Sequence, residues 1–275
     1  MSEACATSSR TAAVAAYTQA RSCRWKLAVP LRQFCCCALL CLAFASQAED
    51  VIELYMPNAP PLTFASLKGG HGMVGDVTLA ALARAGLLSE LRYEPWARAQ
   101  RKVANGRDQL IIPLSRTPER EPLYTWIAPI MPLERAFFSL DEPVQSFAEA
   151  RQRYRRIGVG LGTAQVEILR SQGFSEQQII THTLGENPAH LLERGRIDAW
   201  FTGVPEALYI WPQHSTRRLQ MSPVLASTNL YLACSKECDA QLVQKLRAAV
   251  QSVHDEGISK RLIELYLPQP LDAAP

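Results

Sequence analysis

Twice along this chain, short apolar runs alternate with stretches of helical periodicity, each time in the order β-α-β-α-β. The first series reads as strand 51–56, helix 77–84, strand 91–94, helix 96–104 and strand 109–114. The second reads as strand 156–159, a helix ending at Ser171, strand 179–184, helix 188–194 and strand 197–202. Strands linked through helices by short connections imply parallel sheets flanked by helices. Between the two series, Trp126 to Pro143 carries Pro129, Pro132 and Pro143 and reads as an irregular extended crossing. After the second series come a strand at 229–233, a helix from the cap Asp239 to His254, the breaker Gly257 and a short helix ending at Tyr266. The expected fold class is therefore α/β, with two lobes and a ligand cleft between them.

The first 48 residues differ from the rest. Arg21, Arg24, Lys26 and Arg32 precede an apolar run from Phe34 to Ala45, and Ser46-Gln47-Ala48 places small residues at a cleavage site. That order is a secretory signal peptide, and the apolar run is too short to span a bilayer. The implied location is the periplasm. This leader holds five basic residues and one acidic one, so the remaining 227 residues sum to −1 rather than +3. The apparent basicity belongs to targeting and gives no support for a nucleic-acid partner. Six of the eight cysteines also lie in the leader, leaving Cys234 and Cys238. Two such cysteines in an exported chain are expected to form a disulfide; a lone C-x3-C pair without nearby histidines does not predict a metal site.

The stretch from Asp108 to Arg120 is where ligand chemistry concentrates. An apolar run ends at Pro113, which has no N–H for a ladder, so the strand should stop there or lie at an edge. Ser115, Thr117 and Arg120 follow, at the carboxyl end of a strand, where open α/β sheets place their crevice. A guanidinium there can grip a carboxylate through two parallel hydrogen bonds. On the second series, Gly162 permits close approach of a ligand, and the amides opening the helix after Thr163 form an anion-friendly nest. No cofactor is implied: Gly158-x-Gly160-x-Gly162 lacks the dinucleotide spacing. Neither a hydrolase motif nor metal-ligand spacing among the histidines is present, so no catalytic or metal residue is assigned.

In order along residues 51–268 stand Asn105-Gly106-Arg107-Asp108, Ser115, Thr117-Pro118-Glu119-Arg120, Trp126-Ile127-Ala128-Pro129, Ile157-Gly158-Val159-Gly160-Leu161-Gly162-Thr163, Gly195-Arg196-Ile197-Asp198-Ala199 and a varied Asp255-to-Tyr266 tail. In this the chain resembles the family-3 extracellular solute-binding proteins, the periplasmic group that includes the polar amino-acid-binding proteins of ABC importers. The resemblance implies the type II two-lobed fold, each lobe a mainly parallel sheet flanked by helices. Lobe 1 is placed at 49–136 and 231–270, and lobe 2 at 137–230. The hinge crossings fall near 137–143 and 228–233, and a tail covers 271–275. It implies that Arg120 clasps the carboxylate of a small polar ligand, aided by backbone at Ser115 and at Thr163-Ala164. It also implies hinge closure, a monomer and a membrane ABC permease as partner.

The departures shift the ligand expectation. Members that hold an α-ammonium group use a carboxylate where this chain has Gly203, and Glu206 lies three residues further on. Pro113 and Ala164 also replace residues that are commonly polar in the family. An ordinary α-amino acid is therefore less expected than the family name suggests, and an organic acid, or an amine recognised by other groups, becomes credible. Trp96 and Phe64 are candidates for an apolar or stacking wall; Tyr55 reads as core. Two other readings use the same scaffold. One is a dehydratase-like enzyme acting on a small carboxylic acid with Glu206 or Glu119 as acid or base. The other is a sensing module that feeds a membrane receptor.

Overall fold

The computed structural model describes residues 51–65 and 69–267; the leader and the tail lie outside them. Among the described residues nine strands form one sheet. They are β1 (Ile52–Met56), β2 (Ser89–Tyr93), β3 (Leu110–Ser115), β4 (Tyr124–Ser139), β5 (Ile157–Gly160), β6 (Ile179–His182), β7 (Ala199–Gly203), β8 (Gln220–Met221) and β9 (Ala226–Ser235). Eight α-helices among the described residues accompany them: α1 (Met73–Arg84), α2 (Trp96–Asn105), α3 (Phe147–Arg153), α4 (Ala164–Ser171), α5 (Pro188–Glu193), α6 (Val204–His214), α7 (Ala240–Asp255) and α8 (Ile258–Glu264). The strand order is β2-β1-β3-β9-β4-β7-β5-β6, with β8 paired to β4. β2, β1 and β3 are parallel, as are β7, β5 and β6. The pairs β3–β9, β9–β4 and β4–β7 are antiparallel.

Side chains alternate across a strand, and each half of the sheet uses both faces. Leu54, Met56, Leu110 and Ile112 pack with α1 and α7, while Tyr55 and Ile111 face the other way, toward Trp96, Ala99 and Val103 of α2. Phe137 and Phe201 pack with Leu169 of α4, while Phe138 and Trp200 meet Leu192 of α5 and Trp211 of α6. Each half is thus a helix–sheet–helix sandwich with its own core, giving two lobes.

Two proline-bearing segments depart from expectation. Trp126 to Pro143 is not irregular: most of it belongs to the sixteen-residue strand β4, paired with β9 from Tyr124 to Arg135 and with β7 from Arg135 to Phe138. Its register shifts between Trp126 and Ala128 and again between Pro129 and Met131, and such irregularities let prolines sit in a strand without giving a ladder N–H. β3 likewise runs through Pro113 rather than ending there, although it is central in the sheet. Its pairing with β9 shifts between Ile111 and Leu114, which leaves Pro113 outside the ladder. The strand therefore continues to Ser115.

Several local readings hold. The Asp239 side chain accepts from the Leu242 N–H at 2.8 Å and starts α7. Gly257, at φ +67°, separates α7 from α8. Cys234 and Cys238 form a disulfide, with Cα atoms 6.1 Å apart. No helix among the described residues is long and apolar enough to cross a membrane.

Candidate functional site

Because β3 reaches Ser115, the loop that follows turns Arg120 inward, where it is 5% exposed. Its Nη1 donates to the Ser115 carbonyl at 3.3 Å, and its Nη2 donates to the Gly162 carbonyl at 3.1 Å and to Glu167 Oε1 at 2.8 Å. Gly162 and Glu167 belong to the other lobe. Arg120 thus grips a carboxylate, as its chemistry predicts, but the carboxylate is the protein's own Glu167 on α4. Gly162 makes this approach possible. At φ +73° it adopts a conformation natural to glycine, and a Cβ there would lie 3.2 Å from Gln100 Nε2 of α2. Gln100 Nε2 also donates to the Gly162 carbonyl, at 2.9 Å.

The opening of α4 faces the same space. Thr163 spends its hydroxyl on the Gly160 carbonyl at 2.7 Å. The N–H groups of Ala164 and Gln165 have no protein acceptor among the described residues. Free amides at a helix start favour an anion. These residues border a cavity of about 40 Å³, together with Trp96, Ser115, Arg120, Arg135 and Glu206.

Arg135 was not singled out from sequence. It sits on β4 where that strand passes from β9 to β7. It is 1% exposed, the largest side chain buried to that degree. Its Nη1 donates to the Leu133 carbonyl at 3.0 Å and Thr228 Oγ1 at 2.9 Å, and its Nη2 donates to Ser115 Oγ at 2.9 Å. Its Nε is buried with no hydrogen-bond partner among the described residues. Burial pulls the guanidinium down to about 10, against the nearby Glu206 carboxylate, which raises it.

Glu206 stands on the opposite lobe, in the first turn of α6. Its Oε2 accepts from the Gly203 N–H at 3.1 Å and from Thr202 Oγ1 at 3.2 Å, so the helix start folds its carboxylate back over Gly203. A Cβ on Gly203 would come within 2.5 Å of that oxygen. The carboxyl group at 206 therefore occupies the room a side chain at 203 would need. Burial raises its proton affinity above the ordinary carboxylate value, while Arg135, the Gly203 amide and Thr202 oppose the rise. Arg135 and Glu206 border one cavity, yet they form no ion pair with each other.

Of the residues expected at the site, Trp96, Ser115, Arg120, Thr163 and Ala164 come together around the cavity, and Gly203 underlies the Glu206 carboxylate. Phe64 does not join them; its ring packs edge-on against Tyr266, with centroids 5.8 Å apart. Glu119 is exposed on the loop. Two site residues were not expected from sequence, Arg135 and Glu167; the signal for Arg135 is a charge beside Glu134 in the otherwise apolar stretch Leu133 to Phe138, whereas Glu206, named from sequence, does border the cavity.

Two sandwich lobes crossed by a pair of long strands, with a charged cavity between them, define the two-lobed periplasmic-binding-protein fold. No protein-family model matches the chain, and comparison with curated proteins finds no match. Solved structures do match. A histidine kinase sensor domain described as similar to periplasmic binding proteins shares 17% identity at a TM-score of 0.71, covering 80% of this chain and 96% of that one. The arginine-, lysine-, histidine-binding protein ArtJ from Geobacillus stearothermophilus shares 18% identity at 0.69, covering 80% and 96%. The ancestral amino-acid-binding protein AncCDT-1, a precursor of cyclohexadienyl dehydratase, shares 18% at 0.67, covering 79% and 95%. At these identities the likeness is one of fold.

Proposed function

We propose that this protein is an exported solute-binding receptor that closes its two lobes around a small zwitterionic solute carrying both a carboxylate and an ammonium group. The observation that carries this reading is the unpaired facing of Arg135 and Glu206. Two opposite charges buried at one cavity without touching each call for a counter-charge. A carboxylate would take the Arg135 Nε–H and the Ala164 and Gln165 amides; an ammonium would take Glu206 Oε1, which makes no hydrogen bond among the described residues. This answers the absence of a carboxylate at Gly203 and favours an amino acid over a simple organic acid. Arg120 becomes the residue that ties the lobes together beside the ligand.

We place the lobes at the boundaries expected from sequence, with closure pivoting in the paired strands around Leu133–Arg135 and Ala226–Thr228, slightly earlier on both strands than the expected crossings. Residues 1–48 act as a cleaved leader, and the monomeric, loaded receptor delivers its solute to an inner-membrane ABC permease. Support comes from the fold shared with ArtJ, whose ligands are amino acids.

The test is mass spectrometry of small molecules released when the purified protein is denatured. The expected result is an unmodified amino-carboxylate at close to one per chain. Recovery of a dicarboxylate or a neutral sugar would overturn the zwitterion reading. Conversion of the recovered solute on incubation with fresh protein would favour an enzyme using Glu206 instead.

A further inference from the structure

Behind Glu206 the small cavity adjoins a larger chamber of about 120 Å³; Ala59, Gln165, Leu184 and Glu206 border both. Asn58 and Pro60 of the first lobe close one side of it, while Trp200 of β7 and Tyr209 of α6 wall the other. His182, the last residue of β6, also borders this chamber and is 9% exposed. Its Nδ1 lies 3.2 Å from the Thr183 carbonyl oxygen. A carbonyl can only accept, so the proton sits on Nδ1, and in the neutral ring Nε2 carries the free lone pair. That Nε2 is buried and has no hydrogen-bond partner among the described residues. Burial lowers the proton affinity of the imidazole, which keeps the ring neutral near pH 7. Among the described residues no lysine or arginine borders the chamber.

A buried acceptor left unpaired is costly, and a ligand that supplies a donor removes the cost. We infer that this chamber is the subsite for the solute's extension, and that His182 Nε2 selects an extension ending in a hydrogen-bond donor, a hydroxyl or an amine, over an apolar or anionic end. The inference rests on the zwitterion reading, which places the solute's head at Arg135 and Glu206. A carboxylate at the far end would meet an acceptor lone pair and share the chamber with the Glu186 and Glu206 carboxylates, with no lysine or arginine in the lining. An alkyl end would fill the space beside Trp200 and Tyr209 but leave Nε2 unpaired.

Four probes of matched length and identical heads test this by calorimetry on the full-length exported protein, freed of endogenous solute by unfolding and refolding. They are L-norleucine, L-6-hydroxynorleucine, L-lysine and L-2-aminoadipate. The hydroxyl and ammonium probes should bind about tenfold tighter than norleucine, and aminoadipate should bind most weakly. His182→Phe should bring the hydroxyl probe to the affinity of norleucine, and His182→Gln, which restores an acceptor, should recover part of the preference. Equal affinity for norleucine and the hydroxyl probe, or tightest binding of aminoadipate, overturns the chamber assignment and leaves the head-group reading standing. Failure of every probe to bind overturns both.

Discussion

Replacing Arg135 by methionine separates a binding residue from a structural strut, because the two roles predict opposite outcomes with and without solute. In the unliganded protein the guanidinium is held at about 10, a desolvation cost of about 3 kcal/mol relative to water. Against this it makes three hydrogen bonds, to Leu133, Thr228 and Ser115, worth about 1 kcal/mol each. The two sums nearly cancel, and methionine fills a comparable apolar volume. Exchanging a buried charge for a well-packed apolar side chain is often close to neutral. The unliganded melting temperature of Arg135→Met should therefore move by less than about 5 °C.

Binding should respond very differently. A charge-assisted hydrogen bond to a carboxylate is worth about 1.5–3 kcal/mol, so affinity for the solute recovered from the protein should fall about 10- to 150-fold. Differential scanning fluorimetry at saturating solute reads both quantities in one experiment: the baseline melting temperature stays, and the ligand-induced rise shrinks. A collapse of the baseline by more than about 15 °C, with affinity unchanged in the molecules that still fold, would refute the assignment. It would make Arg135 a brace for the β4 crossing.

Glu206 gives a pH test with a definite sign. Its folded proton affinity is raised above that of the unfolded chain, so in the unliganded protein its stabilising contribution is full below pH 4.5 and is lost as pH rises through the folded value. Glu206→Gln should therefore raise the unliganded melting temperature at pH 7.5, and the gain should vanish below pH 4.5. Solute affinity in the native protein should weaken on acidification with a midpoint above 4.5, whereas a flat profile down to that pH would remove the ammonium from Glu206. Glu167→Gln breaks the tie between Arg120 and α4 across the lobes. Small-angle scattering of the unliganded variant should show a larger radius of gyration, while the exposed control Glu176→Gln leaves it unchanged; equal radii would mean that this pair does not hold the lobes. Thiol titration of the chain lacking residues 1–48 should find no free cysteine, and Cys234→Ala with Cys238→Ala should cost about 2 kcal/mol in denaturant unfolding. Two titratable thiols would dispose of the bridge.

The alternating series made the lobes legible because strand and helix periodicities are local properties of sequence, and so are caps such as Asp239. The prolines of β4 misled because a proline states only that its own nitrogen gives no ladder bond; whether the strand stops or shifts register depends on the partner strand, here β9, about a hundred residues away. The site was legible in proportion to how local its parts are. Ser115, Arg120 and Thr163 stand at the ends of strands that the pattern reveals, and they do converge. Glu167 could not be matched to Arg120 from sequence, since their meeting requires the lobes to be closed on each other. Arg135 was hidden by the same logic that makes it informative. A charge inside an apolar run reads as a solvent-facing position until the fold covers both faces of that strand, and then the same residue becomes a cation with no exit to water. Gly203 carries the complementary lesson. A missing carboxylate in a line of sequence became a present one in space, because three residues into a helix is almost one turn, and a turn brings Glu206 back over the position it was counted away from.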